Sequence, residues 1–243
     1  MKYLFFDLET TGFGFDKCAI IQLGGIMVDV DDDFNMKPID AINLKMKPAF
    51  GKMIDQRSLE INGYTIDDLK SFSSQEESFN KFIKFLDKHI DRYNKVDKAH
   101  LVGYNSLHFD QDFLRQWFMD NGNKFYGAYF WSDSIDVLSE ASRYLTNYRP
   151  AMLNFKLGTV AKTIGIETSE ESLHDGLYDV KITFKIFNKI IKSGHFVMPF
   201  KSDVAEEMYN QMLIDKSKEI FRKSKFTEEN AWIKVTPELM SSF

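Results

Sequence analysis

Apolar and polar positions follow two rhythms along this chain. The N-terminal run Tyr3-Leu4-Phe5-Phe6-Asp7-Leu8-Glu9-Thr10-Thr11-Gly12 is largely apolar and aromatic, and it predicts a buried strand. A second strand is predicted from Ile20 to Val30, where Ile20, Ile21, Leu23, Ile26 and Val28 supply the apolar positions. A third is predicted from Ala41 to Met46, closed by Lys47-Pro48. The turn between the second and third strands is acidic, with Asp29, Asp31, Asp32 and Asp33, and its chemistry suits antiparallel neighbours.

Helical spacing takes over further along. Phe79, Phe82, Ile83, Leu86 and Ile90 share one helical face, with a start predicted at Ser74 to Glu77. A short strand is predicted from His100 to Tyr104. A helix marked by Phe113, Leu114, Trp117 and Phe118 follows and ends at Asn121-Gly122. The segment Phe130 to Asp136 predicts a last short strand, followed by a helix from Val137 to Leu145. Leu157, Val160, Ala161 and Ile164 mark another helix, stopped by Gly165. Val180, Phe184, Phe187 and Ile191 mark a long one, stopped by Gly194 at C′.

Strands first, then strands alternating with helices, predict an α/β fold: a mixed sheet flanked by helices. The main unit is expected to span residues 1–194, with 195–243 as a helical C-terminal extension. No internal repeat or low-complexity tract interrupts this plan.

Composition narrows the class. Of the 243 residues, 44% are hydrophobic and 23 are Phe, which predicts a packed core rather than disorder. The single cysteine, Cys18, excludes an intrachain disulfide and a cysteine-based zinc site, and fits a reducing intracellular setting. Asp7 and Glu9 interrupt the apolar N-terminus before a signal-peptide core forms, and no apolar run reaches membrane-spanning length. The net charge of -5 is the wrong sign for gripping phosphates, so a nucleic-acid ligand would need a local basic patch or bound cations.

The candidate chemistry lies in the acids. Side chains alternate across a strand, so Asp7 and Glu9 point to one side. Two carboxylates in an apolar run are costly to bury, because each raises the other's pKa. A bound divalent cation removes that cost. A second acidic site, Gly103-Tyr104-Asn105-Ser106-Leu107-His108-Phe109-Asp110, places Asp110 where a strand gives way to a helix. As a helix opener, Asp110 reads either as a cap or as a metal ligand at the strand's end. A third site, Leu173-His174-Asp175-Gly176-Leu177-Tyr178-Asp179, holds another pair. Five residues of helix turn through about 500°. His174 and Asp179 therefore approach one another only if His174 is outside the helix, which is predicted to start near Asp175. Taken singly, His174 reads as a surface or capping residue.

Together, Phe6-Asp7-Leu8-Glu9-Thr10-Thr11-Gly12, the stretch Asn105 through Phe109-Asp110, and His174 to Asp179 resemble the three motifs of the DEDD (DnaQ-like) 3′→5′ exonuclease superfamily. The histidine five residues before the last acid identifies the DEDDh branch, and the pattern is similar to exonuclease I-like members. The resemblance covers roughly residues 1–194. It includes Ile61-Asn62-Gly63-Tyr64-Thr65 and Trp131-Ser132-Asp133-Ser134-Ile135-Asp136. One departure is Asn62-Gly63-Tyr64, where the family often has His-Gly-Ile.

The resemblance implies a ribonuclease H-like fold and hydrolysis of phosphodiesters from a 3′ end with two Mg²⁺ or Mn²⁺ ions. Asp7, Glu9, Asp110 and Asp179 are the implied metal ligands, and His174 the implied general base. Backbone N–H groups at Thr10, Thr11 and Gly12, together with Asn62 and Asn105, are implied to face the terminal nucleotide. Phe13 and Phe15 either stack on bases or cover the core. Asp133 and Asp136 are read as structural. Lys216, Lys218, Arg222, Lys223 and Lys225 form either a phosphate-tracking patch or a solvated helix face. The expected ligand is the 3′ end of single-stranded DNA. RNA and a proofreading or adaptor role beside a polymerase are the alternatives. The sequence sets no oligomeric state.

Overall fold

The computed structural model describes residues 1–106, 109–169 and 173–194. The expected extension 195–243, with its basic residues, lies outside the described residues, as do Leu107 and His108.

Five strands form one sheet in the order β3-β2-β1-β4-β5. They are β1 (Lys2–Thr10), β2 (Ile20–Val30), β3 (Met36–Lys45), β4 (Ala99–Gly103) and β5 (Ile135–Asp136). The first three form an antiparallel meander. β4 pairs parallel to β1, and β5 parallel to β4. The sheet is mixed, as the order of predicted elements implied. β3 lies at an edge, which is where Pro38 is tolerated inside a strand.

Alternation along β1 divides the core. Leu4, Phe6 and Leu8 pack on one face against α3 (Gln75–His89) and α4 (Asp110–Asp120). Tyr3 and Phe5 pack on the other against α6 (Val137–Tyr144), α7 (Leu157–Thr163) and α8 (Gly176–Lys192). Asp7 and Glu9 continue the second face, so the acids lie on the α8 side where the apolar stripe ends. Ser74 caps α3, as its sequence predicted. α8 starts at Gly176 with Asp175 as its cap, leaving His174 outside the helix. Three short helices, α1 (Gln56–Asn62), α2 (Ile66–Ser71) and α5 (Tyr126–Tyr129), were not foreseen from the sequence.

One contact fixes the position of α8. Gly24 lies opposite Asp7 in the β1–β2 register. A Cβ built on Gly24 would stand 2.4 Å from the Gly176 carbonyl carbon and 2.5 Å from the Leu177 nitrogen. The start of α8 therefore rests on bare strand backbone beside Asp7. Gly24→Ala is expected to destabilise the fold by about 1–3 kcal/mol through overpacking. Gly127→Ala in α5, where a new Cβ meets nothing within 4 Å, is expected to be neutral or slightly stabilising. Urea unfolding of the two variants is the check, and equal midpoints would contradict this reading.

Candidate active site

The site lies at the C-terminal ends of β1 and β4, where open α/β sheets present their ligands. β1 delivers Asp7 and Glu9. α4 packs on the opposite layer, but its first residue, Asp110, reaches round the sheet end, and the Leu8 backbone N–H is directed at its carboxylate. Asp110 is not the cap of α4; that position is Phe109, which makes no side-chain capping bond. Asp179 stands in the first turn of α8. His174 occupies the left-handed region at φ 73°, and its backbone N–H donates to Asp179 Oδ2 at 3.2 Å. A non-glycine residue at positive φ stores strain, which surrounding contacts must hold.

The structure thus brings Asp7, Glu9, Asp110, His174 and Asp179 together from three separate stretches of chain. One ligand atom each from Glu9, His174 and Asp179 lies within 4.8 Å of the others.

Electrostatics show how costly this cluster is. Burial, then the negative charges of Asp110, Glu9, Asp179 and Asp175, push the Asp7 carboxyl well above the usual carboxylate range. Glu9, only 8% exposed, is pushed up to about 8 by burial and then by Asp179, Asp110 and Asp175. Burial raises Asp110 to about 7, against backbone N–H groups that lower it. Burial raises Asp179 to about 6, against His174. Among the described residues no lysine or arginine forms an ion pair with these four acids. Asp179 Oδ1 is buried without a hydrogen-bond partner. An orphaned buried oxygen, clustered hard oxygen donors and the lack of a lysine or arginine partner among the described residues fit a divalent cation.

The other predicted residues lie around this cluster in different roles. Thr10 and Thr11 are buried, and their hydroxyls donate to the Gly12 and Met53 carbonyls at 2.8 and 2.6 Å. The Thr11 N–H donates to the Ala19 carbonyl at 2.9 Å, so this amide is already engaged in closing the loop. Gly12 is buried beside Cys18. Asn62 Nδ2 donates to the Thr10 carbonyl at 3.0 Å and pins α1 to the end of β1. Asn105, at φ 59°, donates its N–H to Asp136 Oδ1, the same oxygen that caps α6. Asp136 is therefore structural, as expected, whereas Asp133 is exposed and meets His100.

Phe13 is 78% exposed and touches Phe109 edge-on at 6.0 Å, so it does not cover the core. Phe15 is exposed beside a cavity walled by Cys18, Phe113 and Trp117.

One residue of the site's wall, Gln22, went unnoticed in the sequence, and Asp175 was read only as the start of α8. Gln22 was visible as a lone amide in an apolar strand, placed so that Glu9 would be its register partner.

Comparison with known proteins places this geometry in a family. The exonuclease (RNase T) family model matches residues 4–187, and the chain belongs to that family. It is 27% identical to ribonuclease T of Hahella chejuensis over 109 residues, 44% of this chain and 49% of that protein. It is 26% identical to the PolC-type DNA polymerase III of Thermotoga petrophila over 190 residues, 78% of this chain and 12% of that protein. The chain thus spans half or less of the length of these relatives. Among solved structures, E. coli exonuclease I in complex with a dT13 oligonucleotide has the same fold. The TM-score is 0.62 at 22% identity, covering 79% of this chain and 41% of that one. The ribonuclease H-like sheet predicted above is therefore observed. No helix among the described residues is long and apolar enough to cross a membrane.

Protonation makes the cluster testable. Folding raises Glu9 from 4.5 to about 8, and Asp110 and Asp179 from 3.8 to about 7 and about 6. The folded state therefore binds more protons than the unfolded chain between those limits, and stability falls as pH rises. In EDTA, the melting temperature is expected to drop from pH 5.5 to pH 8.5, corresponding to a loss on the order of a few kcal/mol. Saturating Mn²⁺ at pH 8.5 is expected to restore it. A flat or rising EDTA profile would contradict the clustering.

Proposed function

We propose that this chain is a divalent-metal-dependent 3′→5′ exonuclease that acts mainly on single-stranded DNA and releases nucleoside 5′-monophosphates. The observation that carries the reading is the meeting of four uncompensated carboxylates and one histidine at the sheet end of a chain in the exonuclease family. Two Mg²⁺ or Mn²⁺ ions would supply Lewis acidity to an in-line displacement at phosphorus. Asp7 would serve both ions. Glu9 and Asp179 would complete the site on the side of the attacking water, and Asp110 would hold the second ion.

His174 sits over Glu9 and Asp179 on a strained loop, where its imidazole takes a proton from the attacking water. The Thr10-Thr11-Gly12 loop is held by its hydroxyls, Thr10 to the Gly12 carbonyl within the loop and Thr11 to the Met53 carbonyl beyond it. With Asn62 and Asn105 it forms a firm wall for the terminal nucleotide. Exposed Phe13 and Phe15 offer rings for stacking on bases, which suits a sequence-tolerant ligand.

RNA is the second reading, favoured by the ribonuclease T relatives. Proofreading beside a polymerase is the third, favoured by the PolC-type relatives. End-labelled single-stranded DNA, duplex DNA and RNA, incubated with Mg²⁺, Mn²⁺ or EDTA, separate the first two. Co-elution of the chain with a replicative polymerase tests the third. Stepwise shortening of single-stranded DNA from the 3′ end, abolished by EDTA, is expected.

His174→Ala is expected to lower kcat by about 10²–10⁴ while Mn²⁺ still raises the melting temperature. Asp7→Asn is expected to abolish both activity and the Mn²⁺ effect, yet to melt higher than the parent in EDTA at pH 8, because the cost of burying that carboxyl, ionised or protonated, is gone. An active Asp7→Asn enzyme would refute the assignment.

A further inference from the structure

Gln22 is completely buried in β2 directly opposite Glu9, yet its amide is fully used. Tyr64, in the loop after α1, donates its hydroxyl to Gln22 Oε1 at 2.7 Å. An amide whose oxygen is held by a hydroxyl donor must turn its nitrogen the other way. Gln22 Nε2 accordingly donates to Asp175 Oδ2 at 3.1 Å and to Asn43 Oδ1 at 2.9 Å. The other Asp175 oxygen accepts the Tyr178 N–H and caps α8. Asp175 is thereby held at both oxygens, from the sheet on one side and from its own helix on the other.

The residue before Asp175 is His174, in the left-handed conformation. Its anchors are the N–H bond to Asp179 and the fixed residue that follows. We infer that Tyr64 and Gln22 are positioning residues that, through Asp175, hold the His174 imidazole over the acidic cluster. Tyr64 occupies the segment that departs from the family's usual His-Gly-Ile, so in this chain the device ties the α1 side of the site to the histidine side. The inference rests on the exonuclease reading for its effect on turnover, but not for its effect on His174 itself.

Gln22→Met keeps the volume and removes all three hydrogen bonds of the amide, and Tyr64→Phe removes only the hydroxyl that holds Gln22 Oε1. In both variants kcat on end-labelled single-stranded DNA is expected to fall about 10–100-fold with KM within about threefold, the scale of a misplaced catalytic group. Mn²⁺ affinity, measured by calorimetry without substrate, is expected to stay within about threefold, because neither Gln22 nor Tyr64 hydrogen-bonds through its side chain to any of the four clustered acids. Imidazole proton resonances, assigned to His174 by their loss in His174→Ala, are expected to shift or broaden in both variants. Tyr64→Phe keeps the test open if Gln22→Met does not fold.

Unchanged His174 resonances in folded Tyr64→Phe would overturn the inference, as would a kcat loss matched by an equal loss of Mn²⁺ affinity. If the parent chain degrades no nucleic acid, the exonuclease reading fails, while the His174 resonances still decide whether the clamp exists.

Discussion

The Gly24–Gly176 contact brings the backbone of α8 against the backbone of β2, closer than any side chain on Gly24 would permit. Asp7 is the register partner of Gly24, and Gln22, two residues earlier on the same face, is the partner of Glu9. A missing side chain opposite one acid and a buried amide opposite the other therefore define the floor on which α8 begins. With that floor set, helix geometry delivers Asp179 in the first turn, and the capping residue Asp175 leaves His174 just outside the helix. A shift of α8 by one residue would turn Asp179 by about 100° away from the β1 acids.

The same closeness gives the site its electrostatic character. Burial alone raises each acid, and for Asp7 and Glu9 the neighbouring carboxylates raise it further, so that Glu9 and Asp110 hold protons into the neutral range. Protons and cations then compete for the same oxygens, so cation binding, stability and pH are linked. A protein that needed only to fold would gain by replacing these acids with apolar or amide groups. Their presence at the point where the apolar stripe of β1 ends is the clearest sign that the sheet end serves chemistry rather than packing.

Much of this was legible in the sequence, for identifiable reasons. β2 was read at its observed bounds because both its faces are buried, which leaves a mainly apolar run broken only by Gln22, two glycines and Asp29. The acids of β1 stood out because they break such a run. The start of α8 followed from helix rotation between His174 and Asp179. α1 and α2 escaped notice because seven and six residues, with one or two buried side chains each, carry no periodic signal. β3 was read too short, since an edge strand with half of its residues exposed and only one buried lacks the apolar pattern of its neighbours. The Gln22–Asp175 bond joins residues 153 positions apart, and no local pattern encodes it. Asp110 was visible as a helix opener, but only tertiary packing decides that it turns inward rather than capping its own helix.

Proton release on cation binding tests the central claim most directly. At pH 6.5, calorimetric titration of the chain with Mn²⁺ in two buffers of different ionisation enthalpy measures how many protons leave the protein. Carboxyls held at about 8 and about 7 must give up their protons to take a cation, so more than one proton per chain is expected. Mn²⁺ binding with no proton release, or no binding at all, would contradict the account.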